Sequence, residues 1–491
     1  MRRRVKPLPV FSANDGDSPQ SLKRQLGWLS LTAMGVGCII GTGIFVLTGV
    51  ASATRAGPGL TISFVIAGIA AALAALCYAE VSSTLPIAGS VYAYTYATLG
   101  EFAAWVVGWD LILEYALGTA SVSIGWSGYA DTVLRTAFGF TLPDAWIHSP
   151  WDSTHGFMNL PAAAIVLIVT ALLAKGTRES TTVNSAIVAI KLAIVVCFIV
   201  LGLPHINPAN YHLPPGPLTK AGGFLPFGWS GVLGGAAFMF FAYLGFDAVS
   251  TTAEECKNPK RDLPIGILAS LGICTVLYIV VVAVLNGMVP FTQLNVPNPV
   301  AFALLQAGLP WAALLISLGA IAGLTTVLLV MMFAQSRVVF AMSRDGLLPK
   351  AFSRIHRAWR TPAISTVVLG VVIAAFAAFT PIGTLASLSV MGTLAAFAMV
   401  SVAVPLLRAN DAAEAGFRVP FGPYAIPAAS LIAAVSFMYY LRYGNSTVAG
   451  IPLPWLGFAL WLLIGLCVYF SYGRRKSVTA ATDLIEPVIP Q

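Results

Sequence analysis

Apolar stretches long enough to cross a bilayer recur along nearly all of this 491-residue chain, and they constrain the fold before any motif does. A run of 18 or more residues with few charges reads as a membrane helix. Twelve such spans are predicted, near residues 28–54, 59–84, 99–126, 159–175, 182–203, 228–254, 264–288, 310–342, 362–380, 384–408, 425–441 and 453–473. Gly57-Pro58-Gly59 and Asn258-Pro259 punctuate two of the connections. Only 9% of residues are charged, against about 25% in soluble proteins, so an all-α integral membrane protein without an appended soluble module is expected. Helical spans of this kind exclude an outer-membrane barrel.

The net charge of +8 does not point to nucleic acid, because the cations flank the apolar spans. With the N-terminus inside, 22 of the 27 Lys and Arg residues fall on the inner side and four on the outer side, while Lys191 lies within span 5. That asymmetry places both termini in the cytoplasm, and the helical spans make the inner (plasma) membrane the expectation. Residues 1–25 read as a polar cytoplasmic tail without a cleavable signal, 26–475 as the membrane domain, and 476–491 as a second tail. The six cysteines show neither metal spacing nor a disulfide framework. His148, His155, His205, His212 and His356 all fall in loops, which argues against haem, and no Gly-Lys-Ser/Thr phosphate loop occurs. No metal or other cofactor is expected.

Two spans carry signs of interruption. Span 1 reads Gly35-Val36-Gly37-Cys38-Ile39-Ile40-Gly41-Thr42-Gly43-Ile44-Phe45, with four glycines in nine residues. Each glycine weakens a helix interior by about 1 kcal/mol relative to Ala. Unwound backbone at membrane depth is tolerated only where it faces protein or a water-filled cavity. Span 6 reads Phe240-Phe241-Ala242-Tyr243-Leu244-Gly245-Phe246-Asp247, a glycine shortly before a buried acid. The two spans correspond if the first ten form two five-helix halves, about 28–203 and 228–408, the second inverted relative to the first. Paired interrupted helices at equivalent positions point to the binding site of a secondary transporter.

Charges inside the bilayer are costly and therefore functional candidates. Asp110 and Glu114 share one face of span 3. Asp247 follows the second break. Lys191 lies roughly 13 Å deep at ~1.5 Å per residue, too deep to snorkel easily, so it should meet an acid or backbone carbonyls. It reads either as half of a purely structural ion pair or, functionally, as a fixed charge standing where a sodium ion would otherwise sit. Lys191, Glu114 and Asp247 are the proton-coupling candidates, while Glu80 and Asp110, near the inner ends of their spans, read as interfacial or capping groups. Glu254 and Glu255, beside Lys257, Lys260 and Arg261, suggest an inner gate or a salt-bridged rim.

Gly41-Thr42-Gly43-Ile44-Phe45 resembles the first-helix signature of the amino acid–polyamine–organocation superfamily. The stretch from Phe241 through Asp247 to Ala253-Glu254-Glu255-Cys256-Lys257-Asn258-Pro259-Lys260-Arg261-Asp262-Leu263-Pro264 is similar to its cationic amino acid transporter branch. So are Gly108-Trp109-Asp110-Leu111-Ile112-Leu113-Glu114-Tyr115 and Met342-Ser343-Arg344-Asp345-Gly346-Leu347-Leu348-Pro349. The resemblance covers about residues 22–475 and is to bacterial twelve-helix members. It implies a five-plus-five inverted repeat with broken helices 1 and 6, helices 11 and 12 lying outside the repeat. It also implies proton-coupled or exchange transport of L-amino acids. The implied substrate site comprises Ile40, Gly41, Thr42, Gly43 and Ile44 on helix 1 and Phe241, Ala242, Tyr243, Leu244 and Gly245 on helix 6.

The residues support the same scheme. Free N–H groups beginning the second half of helix 1 suit a carboxylate. Carbonyls from about Phe240 to Tyr243 suit an ammonium group, and Phe241 is placed as a gate. Met331 on helix 8 is expected to shorten the side-chain pocket and favour small or neutral substrates over arginine. An exchanger specific for cationic amino acids and a transporter-fold sensor remain as alternatives. A small single-span membrane partner, the oligomeric state and the substrate side chain are left open.

Overall fold

The computed structural model describes residues 26–85, 90–152, 156–176, 181–216, 219, 222–247, 249–250, 256–409 and 416–478. The N-terminal tail, most of the C-terminal tail, Glu254 and Glu255 lie outside these residues. The described chain is helical apart from a two-stranded ribbon, β1 (Thr447–Val448) against β2 (Ile451–Pro452). Among the described residues, six helical stretches are long and apolar enough to cross a membrane, including 186–205, 259–288 and 310–344.

The first span is composite. Helix α1 (Trp28–Ile39) stops, and the chain resumes through a π-helical turn at Gly43–Leu47, α2 (Thr48–Ala51) and a second π-helical turn at Ser52–Ala56. Gly57, at φ 58°, turns the chain into α3 (Leu60–Thr84). There follow α4 (Ser90–Thr98), α5 (Glu101–Phe138), α6 (Leu160–Lys175), α7 (Thr181–Gly202), α8 (Gly228–Met239), α9 (Pro259–Met288), α10 (Pro299–Gln306), α11 (Pro310–Arg344), α12 (Ala363–Phe379), α13 (Ile382–Ala409), α14 (Ala425–Tyr440) and α15 (Leu453–Val468).

Local chemistry accounts for many of the ends. Proline stands at the first or second position of α6, α9, α10, α11 and α15, where its missing N–H costs nothing. Asn159 caps α6 by accepting from Ala162 N at 3.1 Å. Gly139, left-handed at φ 65°, ends α5, and the Phe140 N–H reaches back to Leu134 O at 3.2 Å.

Inside the bundle, α5 lies along α11 and α13, α3 packs on α9, and α1 packs on α9 and α7. The outer surface is apolar, with Ile168, Val200, Val276, Val371 and Leu463 all exposed, as lipid contact requires. Only Pro454 and Gly465 of α15 are buried. That helix is fastened by Trp109 and Trp461, whose rings stack at 4.5 Å and whose indole N–H groups each donate to the other's carbonyl, at 2.9 and 3.0 Å.

Candidate functional site

Both expected breaks are present. Helix α1 ends at Ile40, whose ψ of 99° is extended, and helical geometry returns at Thr42 (φ −57°, ψ −29°). Phe45 N bonds to Gly41 O at 3.3 Å, so the N–H groups just before it open a new helix with no carbonyl behind them. Helix α8 tightens into a 3₁₀ turn at Phe240–Tyr243. The chain then extends at Leu244 (ψ 136°) and turns at Gly245, whose φ of 109° suits glycine.

The two breaks touch. A Cβ placed on Gly43 would sit 2.4 Å from Ala242 Cα, and one on Gly245 would sit 2.9 Å from Cys38 O. Absent side chains thus let unwound backbone pack against unwound backbone. Two buried tyrosines hold the first break from either side. Tyr278 donates to Ile39 O at 2.7 Å and Tyr129 to Phe45 O at 2.6 Å. Sequence reasoning missed both, although a tyrosine deep in an apolar span must find a partner for its hydroxyl.

Lys191 meets backbone rather than an acid. Its Nζ donates to Gly37 O at 2.7 Å, placing a cation at the C-terminal, negative end of α1. The lysine is 1% exposed. Gly323 on α11 makes room for its stem, since a Cβ there would lie 2.9 Å from Lys191 Cε.

A cavity lies beside the breaks, on the side of α1. Met34, Gly37 and Cys38 line it from α1, Glu114 and Tyr115 from α5, and Leu244, Gly245 and Asp247 from the second break. Helix α11 completes the wall with Thr326, Val327, Val330, Met331 and Ala334. Tyr115 donates to Asp247 Oδ2 at 3.4 Å. Among the described residues, Glu114 Oε2 and Thr42 Oγ1 are buried without a hydrogen-bond partner. Such atoms are costly unless something else supplies the bond.

The predicted residues therefore divide. Leu244, Gly245, Met331, Glu114 and Asp247 share one cavity. Gly41 stands next to it, a Cβ there lying 3.4 Å from Val327. Ile40, Thr42, Gly43, Ile44, Phe241 and Ala242 are buried around the break itself rather than in the cavity wall. Tyr243 turns its side chain away from the break. Its hydroxyl donates to Phe64 O on α3 at 3.0 Å, and its ring packs against Phe64 and Tyr278, so only its backbone is available to the break. Phe241 O already accepts from Leu244 N at 3.1 Å and has one lone pair left for a ligand.

Glu80 is paired rather than merely interfacial. It accepts from Arg408 Nε and Nη2, each at 2.6 Å, and from Val419 N at 2.6 Å. A larger cavity of about 410 Å³ is lined by Asp131, Arg135, Asp144, His148 and Asn298 together with apolar side chains such as Phe302 and Leu305.

Residues 26–467 match the family model described as amino acid permease. The chain belongs to this family, within the amino acid–polyamine–organocation superfamily. It is 47% identical to the methylthioribose transporter of Bacillus subtilis (strain 168), over 97% of this chain and 98% of the relative. It is 45% identical to the branched-chain amino acid permease BcaP of the same organism, over 95% and 96%. A more distant relative is the vacuolar cationic amino acid transporter 4 of Arabidopsis thaliana, 41% identical over 80% of this chain and 64% of the relative. The protein is a multi-pass membrane permease and not an enzyme, and the family supports amino acid transport.

Proposed function

We propose that this permease is a secondary active carrier of L-amino acids, proton-coupled and independent of sodium, that works by alternating access. The observation that carries the reading is the mutual contact of the two broken helices beside a cavity holding Glu114 and Asp247. The substrate carboxylate binds the N–H groups from Thr42 to Ile44, and its ammonium binds carbonyls between Phe240 and Tyr243. The Thr42 hydroxyl, buried without a partner among the described residues, adds a donor at the same place.

The inverted repeat is part of the proposal, and helix packing supports it. In a twelve-span reading, α3, α5 and α6 each pack against the helix five spans later, namely α9, α11 and α12. The contact of α1 with α9 is mirrored by that of α8 with α3, and α7 on α11 by α13 on α5. A pseudo-two-fold axis in the membrane plane produces such a pattern. Both termini face the cytoplasm of a cell bounded by the plasma membrane, in keeping with the cation asymmetry.

Lys191 occupies the carbonyl end of α1 and supplies there the positive charge a sodium ion would bring. Uptake by purified protein in liposomes, under separate proton and sodium gradients, tests the coupling. Accumulation driven by the proton gradient alone is expected, and strict sodium dependence would refute it.

For the substrate, the apolar wall of Met34, Leu244, Val327, Val330 and Met331 favours a neutral side chain, as do the branched-chain permeases among the relatives. One observation favours cationic substrates instead, the unpartnered Glu114 Oε2 in the same cavity. Competition of labelled alanine by leucine, arginine and methylthioribose separates these readings.

A further inference from the structure

The connection between α11 and α12 carries Lys350, Arg354, Arg357 and Arg360, and no acid occurs from Gly346 to Phe379. All four cations are exposed, as is Lys175 at the end of α6. Among the described residues none of the five pairs with a carboxylate. A cluster of this density next to a membrane helix attracts anionic headgroups.

The connection is also built rather than loose. His356 N bonds to Thr361 O at 2.9 Å and Arg360 N to His356 O at 2.8 Å. The His356 and Trp359 rings stack at 4.3 Å. Arg360 is held at φ 54°, an uncommon conformation for a residue with a side chain, which persists only where the surroundings fix it. Thr361 Oγ1 donates to Ala174 O, which fastens the turn to the end of α6 and brings Lys175 alongside.

Its position selects the partner. Trp359 is 44% exposed and Ile355 57%, and the apolar face of α12 continues from them through Ile364, Val367, Val368 and Val371, all exposed. Cations thus stand at the foot of an exposed apolar surface, beside an exposed tryptophan, the residue type that anchors at membrane interfaces. A soluble polyanion would have no use for that apolar face.

We propose that this turn, with Lys175, is a binding site for the phosphodiester headgroup of an anionic phospholipid in the adjoining leaflet. The guanidinium groups of Arg354, Arg357 and Arg360 contact phosphate oxygens, for which their fork of donors is suited. Trp359 and Ile355 rest on the acyl boundary.

The test is native mass spectrometry of the full chain with phosphatidylglycerol or phosphatidylcholine of matched acyl chains, for wild type, R354Q/R357Q/R360N and R475Q/K476Q. Asn at 360 tolerates the left-handed backbone. Wild type is expected to bind phosphatidylglycerol at least about tenfold more tightly than phosphatidylcholine. Each cation near an anionic surface contributes roughly fivefold, so the triple variant should lose on the order of a hundredfold. The R475Q/K476Q variant should stay within about twofold of wild type. Equal wild-type affinity for the two lipids, or an unaffected triple variant, overturns the proposal. Displacement of phosphatidylglycerol by equimolar inorganic phosphate also overturns it, since the site would then belong to a soluble anion. If the triple variant is not monodisperse, the two wild-type comparisons decide.

Discussion

Gly43 is where the proposed carboxylate site is most sharply exposed to test. In Gly43→Ala the new Cβ would stand 2.4 Å from Ala242 Cα and 2.5 Å from Ala242 Cβ. Carbon atoms pack best at about 3.5–4.0 Å, so the two breaks must part by roughly 1 Å. Neither facing atom is the tip of a flexible side chain that could swing aside. Overpacking of this kind costs about 1–3 kcal/mol. Alanine returns up to about 1 kcal/mol through helix propensity, so the fold should survive. A misplacement of about 1 Å at a positioned site can lower function by about a hundredfold. Gly41→Ala is the comparison, because its Cβ meets the Val327 methyls at 3.4 and 3.7 Å and Ile39 O at 4.0 Å, all ordinary contacts. Equilibrium binding of labelled alanine to purified protein, beside the melting temperature of each variant, is the assay. Gly43→Ala should weaken binding by about tenfold to a hundredfold while still melting cooperatively, and Gly41→Ala should change it by less than about fivefold. Wild-type affinity in a folded Gly43→Ala protein would refute the assignment of the break as the site.

Other expectations follow from single contacts. Lys191→Met removes the donor to Gly37 O, which leaves that carbonyl short of a bond worth about 1–3 kcal/mol; uptake driven by a proton gradient should stop, and a variant that still concentrates substrate would exclude coupling through Lys191. Gly245→Ala combines a φ of 109° with a Cβ 2.9 Å from Cys38 O, so it should cost about 1–3 kcal/mol and abolish binding; a thermal melt read beside the binding curve checks both. Met331→Ala should lengthen the cavity and raise the affinity of arginine relative to alanine, measured by competition, with an unchanged ratio counting against Met331 as a pocket wall. Glu80→Gln weakens the pairing of a buried carboxylate with the partly exposed Arg408 and should lower stability by about 1–3 kcal/mol, read as a fall in melting temperature.

Much of this architecture was legible because it is encoded locally. Continuous apolar runs specify helices in a bilayer, and clustered glycines specify where they unwind, since both depend on the propensities of neighbouring residues. The breaks at Gly41 and Gly245 were readable for that reason, and so was the buried charge of Lys191. What Lys191 bonds to was not, because Gly37 lies 154 residues away and only packing of α7 against α1 brings the two together. The same holds for the contacts of Gly43 with Ala242 and of Gly245 with Cys38, which turn two separate interruptions into one place. Tyr243 shows the limit most clearly. Its position in the break was legible, but the direction of its hydroxyl, toward Phe64 O, was set by the groove between α3 and α9. The sequence determined by itself where the backbone is left unsatisfied, because glycine acts on its own torsions. Which groups satisfy it, and which acids and side chains gather around the cavity, was decided by tertiary structure, because each such contact joins residues from different helices.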